Sequence, residues 1–548
     1  MDKRSLLAIV LSLIILIGYQ EFIGYLYPTP PPRQAPSVPS EQVVSSPVPP
    51  PPAPVPEAAP RTSPEVSSVA PPQEQEITVE NAVYRAVLSS RGARLKSLIL
   101  KDYPGDAGEH SPPREMVRQG PGDAAPLEVR LEGNGTPLDD TEVMYTVEGG
   151  NIEFAGSFQD QATLSFHGSL SDGTPITKAF TFAADSYGIQ LAVRVRQAPP
   201  DISALSLVWI EALDPTQTDD FYTTYGPVAL VGRKFVYEGA SGLDEPENLG
   251  PGQIRWAGFT DSYFLAAMMP PPGDNYRSTF RLVNNTARTS LILPWTGESV
   301  TYTLYVGPKE TQALNAVDPV FDRAIDFGWF HFIARPLISL LRLSHSLTGN
   351  YGLDIILLTV LVKLLFFPLS NKSFQSMAAM KKLQPQMERL RERYKDDRQK
   401  LNQETMELYK RNKVNPLGGC LPMLVQFPVF IGLYQGLLYA IELRQAPFFG
   451  WISDLSSPDR LGSLAIPFVD PPGLPILTLF MGGSMLLQQW MMPMTTGDPI
   501  QQKMMMLMPV IFTVMFVNFP SGLVLYWLVN NVLSITQQYW YNAQHASS

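Results

Sequence analysis

Leu353-Asp354-Ile355-Ile356-Leu357-Leu358-Thr359-Val360-Leu361-Val362-Lys363-Leu364-Leu365-Phe366-Phe367-Pro368-Leu369 is an apolar run with one lysine inside it. About 20 apolar residues cross a hydrocarbon core of ~30 Å, so the run reads as a transmembrane helix. A lysine inside such a helix is costly and marks a candidate functional position. Lys363 lies about 8 Å from Pro368 at ~1.5 Å per residue. Its stem also allows the ammonium to snorkel to the nearer headgroups. The charge therefore takes its meaning from its company.

That company is polar. Gln426 interrupts the apolar run 416–440, Gln488 and Gln489 sit near the end of 474–492, and Asn530 and Asn531 lie within 521–538. The runs 504–519 and 521–538 form a hairpin through Phe519-Pro520-Ser521-Gly522. Thr359 is one helical turn from Lys363, on the same face. The far halves of these spans, 355–360, 510–517 and 523–528, are apolar. Polar groups at one side and an apolar seal at the other describe a wet groove closed to the exterior, not a through-pore. Hydrogen bonding between helices is the plainer use of each amide. A transporter or channel, the alternative reading, needs polar residues at both faces.

The remaining segments orient this bundle. Lys3 and Arg4 precede an apolar run, which makes residues 5–27 an anchor with a cytoplasmic N-terminus. No small-x-small site closes that run, as a cleaved signal peptide requires. Residues 28–75, rich in Pro, Ser, Val and Ala, form an extended spacer. Spans then follow at 351–370, 416–440, 474–492, 504–519 and 521–538. Six spans return the tail, 539–548, to the cytoplasm. Segment 371–415 carries twelve Lys/Arg against six Asp/Glu in a chain of net charge −10, whereas 441–473 has only Arg444 and Arg460. The positive-inside rule therefore places 371–415 and 493–503 in the cytoplasm and 441–473 outside. The last two spans are short, which implies a locally thinned bilayer.

Residues 76–318 read as a periplasmic all-β sandwich. Val300, Tyr302, Leu304 and Val306 alternate with Thr301, Thr303 and Tyr305, a strand period. From 319 to 345 the period becomes helical, with Phe321, Ile325, Trp329, Phe332, Pro336 and Leu340 on one stripe. Such a helix lies in the membrane interface or packs against the β domain. In 371–415, Met380, Leu383, Met387, Leu390 and Tyr394 form a heptad stripe, with Leu401, Thr405 and Leu408 a weaker second. This predicts a basic helical hairpin, with Pro385 starting or kinking its first helix. Its charges suit anionic lipid or ribosomal RNA, without sequence-specific nucleic-acid recognition, or simply a solvated face. The many methionines of the membrane half suit varied apolar partners as well as ordinary packing against lipid.

Covalent chemistry finds no support. Cys420 is the sole cysteine, so no intramolecular disulfide is possible. His110, His167, His331, His345 and His545 show no ligand spacing, so neither a metal nor a cofactor is expected. No nucleophile–base pair is recognisable in the core spans.

Four segments carry a resemblance: Asn415-Pro416-Leu417-Gly418-Gly419-Cys420, Gln445-Ala446-Pro447-Phe448, Asp498-Pro499-Ile500-Gln501-Gln502-Lys503 and Phe519-Pro520-Ser521-Gly522-Leu523-Val524-Leu525-Tyr526. With them the chain resembles the YidC/Oxa/Alb membrane protein insertases, in the Gram-negative YidC form. The resemblance implies a polytopic α-helical membrane protein of the bacterial inner membrane. It would have six transmembrane helices, a five-helix insertase core and a periplasmic β-supersandwich. It implies that nascent membrane proteins enter a groove open to cytoplasm and lipid, alone or with the Sec translocon, and that the ribosome is a partner. Groove residues would be Lys363, Thr359, Gln426, Gln488, Asn530 and Trp527. The substrate helix would slide along Phe430, Met481, Met515 and Phe516. Lys381, Lys382, Arg389, Arg391 and Asp498 would face the ribosome. The family's groove charge is usually arginine; here it is Lys363, a point charge without the planar fork.

Overall fold

The computed structural model describes residues 73–545 apart from 106–110, 155–159, 216, 218–223, 244, 298, 396, 413, 415–420, 468 and 492–498. The expected anchor 5–27, almost all of the spacer 28–75, the segment 415–420 and Asp498 lie outside the described residues. The chain divides into two units, 1–72 with 496–505, and 73–495 with 506–548. Of the first, only 499–505 are described; the β domain and the contacts of the helical bundle belong to the second.

Alternation governs the β domain. In Pro175–Ala183 the residues Ile176, Lys178, Phe180 and Phe182 share the buried face, and the strand pairs antiparallel with Gln161–Ser169 and Gly188–Val195. The domain holds sheets of five, nine and six strands, and their inner faces meet in one core that includes Tyr84, Leu131, Phe166, Phe180, Trp209 and Tyr302. The expected all-β sandwich is present, with a more complex sheet arrangement than hairpin pairing alone. Among the described residues there are three sheets, and Glu76–Glu80 pairs parallel with Ile152–Glu153. Hairpin neighbours must run antiparallel, whereas a strand arriving by a long connection is free to pair either way.

Strand Ser299–Pro308 shows where alternation fails. Tyr302, Leu304 and Val306 face the core, but Tyr305 is buried as well. It lies in a second core with Val228, Trp256, Leu265, Leu314 and Phe321, on the sheet's opposite face. Helix α1 (Thr311–Val317) and the 3-10 turn Pro319–Ala324 cover that face. The expected helix over 319–345 is therefore corrected. Phe321 and Ile325 pack on the β domain, and helix α2 (His331–Thr348) starts later. It buries Ala334, Leu337, Ile338 and Leu341, while Phe332 is 64% exposed and Leu347 87%.

Helix α3 (Tyr351–Leu365) is capped by Asn350, whose side chain accepts from the amides of Gly352 and Leu353. It gives way to α4 (Phe367–Arg393) across a 62° bend. The straight span 351–370 is thereby corrected. Pro368 lacks an amide hydrogen and disfavours a helical residue before it, so a break falls there. Proline is at home in the first turn of the new helix. Pro385 lies inside α4 and neither starts nor ends it. Helix α5 (Arg398–Arg411) folds back on α4, and Met380, Leu383 and Met387 meet Tyr409. Next come α6 (Leu421–Tyr439), α7 (Ile476–Met491), α8 (Pro499–Met515) and α9 (Ser521–His545). Two boundaries differ from expectation. Helix α8 closes in a 3-10 turn, Phe516–Asn518, and α9 continues through most of the expected tail. Among the described residues no single helix is long and apolar enough to cross a membrane, and the bent pair α3–α4 passes on length and composition alone.

Polar side chains stitch the end of the bundle nearest the β domain. The carboxylate of Asp459 accepts from the Leu477 amide at 2.7 Å and the Thr478 hydroxyl at 2.9 Å, capping α7. Arg460 donates to the carbonyls of Pro471, Asp470 and Val517 and to Asn518 Oδ1. Arg444 reaches the β domain, donating to the carbonyls of Pro104 and Gly105 and lying 5.3 Å over the Phe264 ring.

The β domain also contains a buried acid. Burial, the largest influence on Glu211, pushes its carboxyl from 4.5 up to about 8. Between those values the folded chain keeps a proton that the unfolded chain releases, so its stability falls as pH rises from 4.5 toward 8. Glu211→Gln is expected to flatten that slope by at most about 1.4 kcal/mol per pH unit. Amide-exchange protection of strand Ile202–Ala212 in the full chain at pH 5 and pH 8 checks it; an unchanged slope would contradict it.

Candidate hydrophilic groove

Helices α3, α6, α7 and α9 bring the polar side chains together. Lys363 Nζ donates to Ser534 Oγ at 2.5 Å and to Asn530 Oδ1 at 3.3 Å. Gln426 Nε2 donates to the same Asn530 Oδ1 at 2.8 Å and to Tyr526 Oη at 3.3 Å. On the other side of α9, Asn531 Nδ2 donates to Ser484 Oγ at 2.9 Å. Further along, Gln538 donates to the Met491 carbonyl, and Gln537 to Asn371 Oδ1. Among the described residues no carboxylate pairs with Lys363. Its side chain is half-buried and turned toward α9.

An apolar plug lies between this cluster and the stitched end. It contains Ile355, Leu358, Leu455, Phe516, Phe519, Leu523 and Val524. Beside it, Phe430 meets the Trp527 ring edge-on at 4.6 Å, and Phe516 lies 5.3 Å from Trp527 and 4.5 Å from Phe519. Such geometries are favoured by the ring quadrupole. Gly482 allows α8 against α7, since a Cβ there would fall 2.2 Å from Thr513 Oγ1.

Several site expectations change. Thr359 is 1% exposed and gives its hydroxyl to the Ile355 carbonyl of its own helix, so it lines no open groove. Met481 and Phe516 are fully packed and present no sliding surface. Met515 is 48% exposed, and Phe430 is half-buried. Gln488 is half-buried on α7, with no described bond to the lysine cluster. Trp527 belongs to the aromatic group rather than to the polar one. Lys381, Lys382 and Arg389 are exposed on α4, and Arg391 is half-buried. Ser534, Tyr526 and Ser484 are among the polar members that the sequence pattern did not single out. The signal for two of them was present: Tyr526, Asn530, Ser534 and Gln537 recur every three or four residues.

A large apolar surface surrounds the cluster. Leu357, Leu361, Leu364 and Leu365 on α3, Phe480, Leu487 and Trp490 on α7, and Leu507, Val510 and Val514 on α8 are all exposed. A water-soluble monomer rarely exposes so many large apolar side chains on neighbouring helices.

Comparison with known proteins identifies the family. A family model described as the 60Kd inner membrane protein matches residues 343–548, and one for the YidC periplasmic domain matches 76–340. The membrane protein insertase YidC of Syntrophus aciditrophicus (strain SB) is 41% identical over 566 residues, covering 99% of this chain and 100% of the relative. That of Pelobacter propionicus (strain DSM 2379 / NBRC 103807 / OttBd1) is 39% identical over 559 residues, covering 99% of each. A crystal structure of an active YidC insertase with its first transmembrane domain resolved aligns with 86% of this chain and 93% of its own, at 20% identity and a TM-score of 0.37. Full-length identity of this order places the chain in the YidC family of inner-membrane insertases that carry a periplasmic domain.

Proposed function

We propose that this chain inserts membrane proteins through the groove around Lys363, entered from the cytoplasm and closed outward by the apolar plug. The carrying observation is an ammonium with no carboxylate partner among the described residues, set within a polar cluster and backed by a packed apolar layer. The polar tail of a nascent protein is solvated by Lys363 and the amides of Gln426 and Asn530. Its path through hydrocarbon is thereby shortened. The apolar segment passes Phe430 and Met515 into lipid, and its burial contributes about 0.8 kcal/mol per CH₂. No covalent bond is made or broken.

The basic bias of 371–415 supports six spans with both termini in the cytoplasm and the β domain outside. The exposed faces of α2 and α3 suit an interfacial helix and a lipid-facing one. The exposed Lys381, Lys382 and Arg389 on the α4–α5 hairpin suit the ribosome or anionic headgroups, and the Sec translocon is a further partner. The plug argues against a channel, which needs a continuous polar path.

The test is reconstitution. Full-length protein in liposomes inserts a two-span substrate with an acidic tail, without nucleotide hydrolysis. Lys363→Met lowers that insertion about ten-fold, the scale of one lost hydrogen bond to a charged group. Equal insertion by the variant would remove the charge from the mechanism.

A further inference from the structure

Lys178 and Lys363 differ in one respect. Lys178, in the β domain, places all its donors: to the Gly92 carbonyl at 2.8 Å, the Leu127 carbonyl at 2.7 Å and Asp140 Oδ2 at 2.5 Å. An ammonium has three N–H donors. Lys363 has two described acceptors, Ser534 Oγ and Asn530 Oδ1, both on α9. Each of these atoms is fixed as an acceptor by a second bond. The Ser534 hydroxyl spends its hydrogen on the Asn530 carbonyl at 2.7 Å, leaving its lone pairs toward the ammonium. Asn530 Oδ1 takes the Gln426 amide as well, which sets the orientation of the Asn530 side chain.

We propose that Ser534 and Asn530 form a seat that holds Lys363 by two of its three hydrogens and leaves one directed into the groove, a single-point site for one carboxylate oxygen of an entering tail. The proposal rests on the insertion role of the groove and adds its geometry and specificity. Ser534 acts through Lys363 and is a positioning residue. Without it the long stem is released and the ammonium swings toward headgroup water, so the charge is no longer preorganised where the tail arrives. An arginine does not substitute for this arrangement. Its planar fork presents paired donors and does not fit two acceptors spaced along one helix for a single nitrogen.

The experiment uses full-length protein in liposomes and two substrates that differ only in Asp or Asn at the tail, with the Asp-over-Asn insertion ratio as readout. A general folding defect lowers both insertions and leaves the ratio alone. Ser534→Ala is expected to lower the ratio about ten-fold, the scale of one hydrogen bond to a charged group. Ser534→Thr, which keeps the hydroxyl, restores it. Ser534→Cys, close in size but a weak acceptor, lowers it as alanine does and serves if alanine fails to fold. A wild-type ratio in both Ser534→Ala and Ser534→Cys, with the ratio lost in Lys363→Met, overturns the seat and leaves the groove charge standing. A ratio near one in the wild type that Lys363→Met does not change overturns both.

Discussion

Lys178→Met is expected to destabilise the β domain by about 3–5 kcal/mol, the cost of leaving one member of a buried ion pair uncompensated. Lys178 and Asp140 are both 0% exposed. Asp140 also accepts from the Val129 amide at 2.8 Å and the Tyr145 hydroxyl at 2.9 Å. Removing the ammonium leaves a buried carboxylate with neutral donors alone, and it frees the carbonyls of Gly92 and Leu127. Leu127 sits at φ 77°, a conformation rare for a side chain of its size, and Lys178 is the partner that holds its carbonyl. Amide exchange in strand Pro175–Ala183 of the full chain reads the loss. The double variant Lys178→Met/Asp140→Leu is expected to recover a large part of it, because removing both charges also removes their desolvation. Equal protection in the single variant and the wild type would show that the pair contributes nothing net.

That lysine was not singled out in the sequence, although the pattern around it carries the signal. Ile176, Lys178, Phe180 and Phe182 alternate, which sets the lysine on the inward face. In the membrane half, Lys363 and its amides were legible because a polar group in an apolar run has few uses. Ser534 was not singled out, because a lone hydroxyl in a helix usually bonds its own backbone. It does so here, and its lone pairs still serve Lys363. Phe321 and Ile325 fitted a helical stripe, yet a 3-10 turn folded on a sheet buries the same residues. Periodicity does not say what an apolar face meets. Met481 and Phe516 illustrate the same limit. When lipid and core are both apolar, composition does not tell one side of a helix from the other. The break before Pro368 was written in the proline itself, and only the apolar continuity of Phe366-Phe367-Pro368-Leu369 made the span look straight.

Asn530→Asp carries the other large effect, because it changes charge with almost no change in shape. The Asn530 Oδ1 atom lies 3.3 Å from Lys363 Nζ and already accepts from it. A carboxylate there forms an internal ion pair, and a tail carboxylate must then compete with it at close range. Like charges brought together in a partly desolvated site cost several kcal/mol. The preference for an Asp tail over an Asn tail is therefore expected to fall about 100-fold or more, the equivalent of ~3 kcal/mol. The double variant Lys363→Met/Asn530→Asp separates charge from packing. It leaves the groove with a single negative charge, so a Lys-tailed substrate should now insert better than an Asp-tailed one. Steric damage lowers all insertions together; only a field acting on the tail exchanges their order. If the single variant keeps the wild-type preference, or the double variant still favours Asp, the tail does not meet position 363 on its way in.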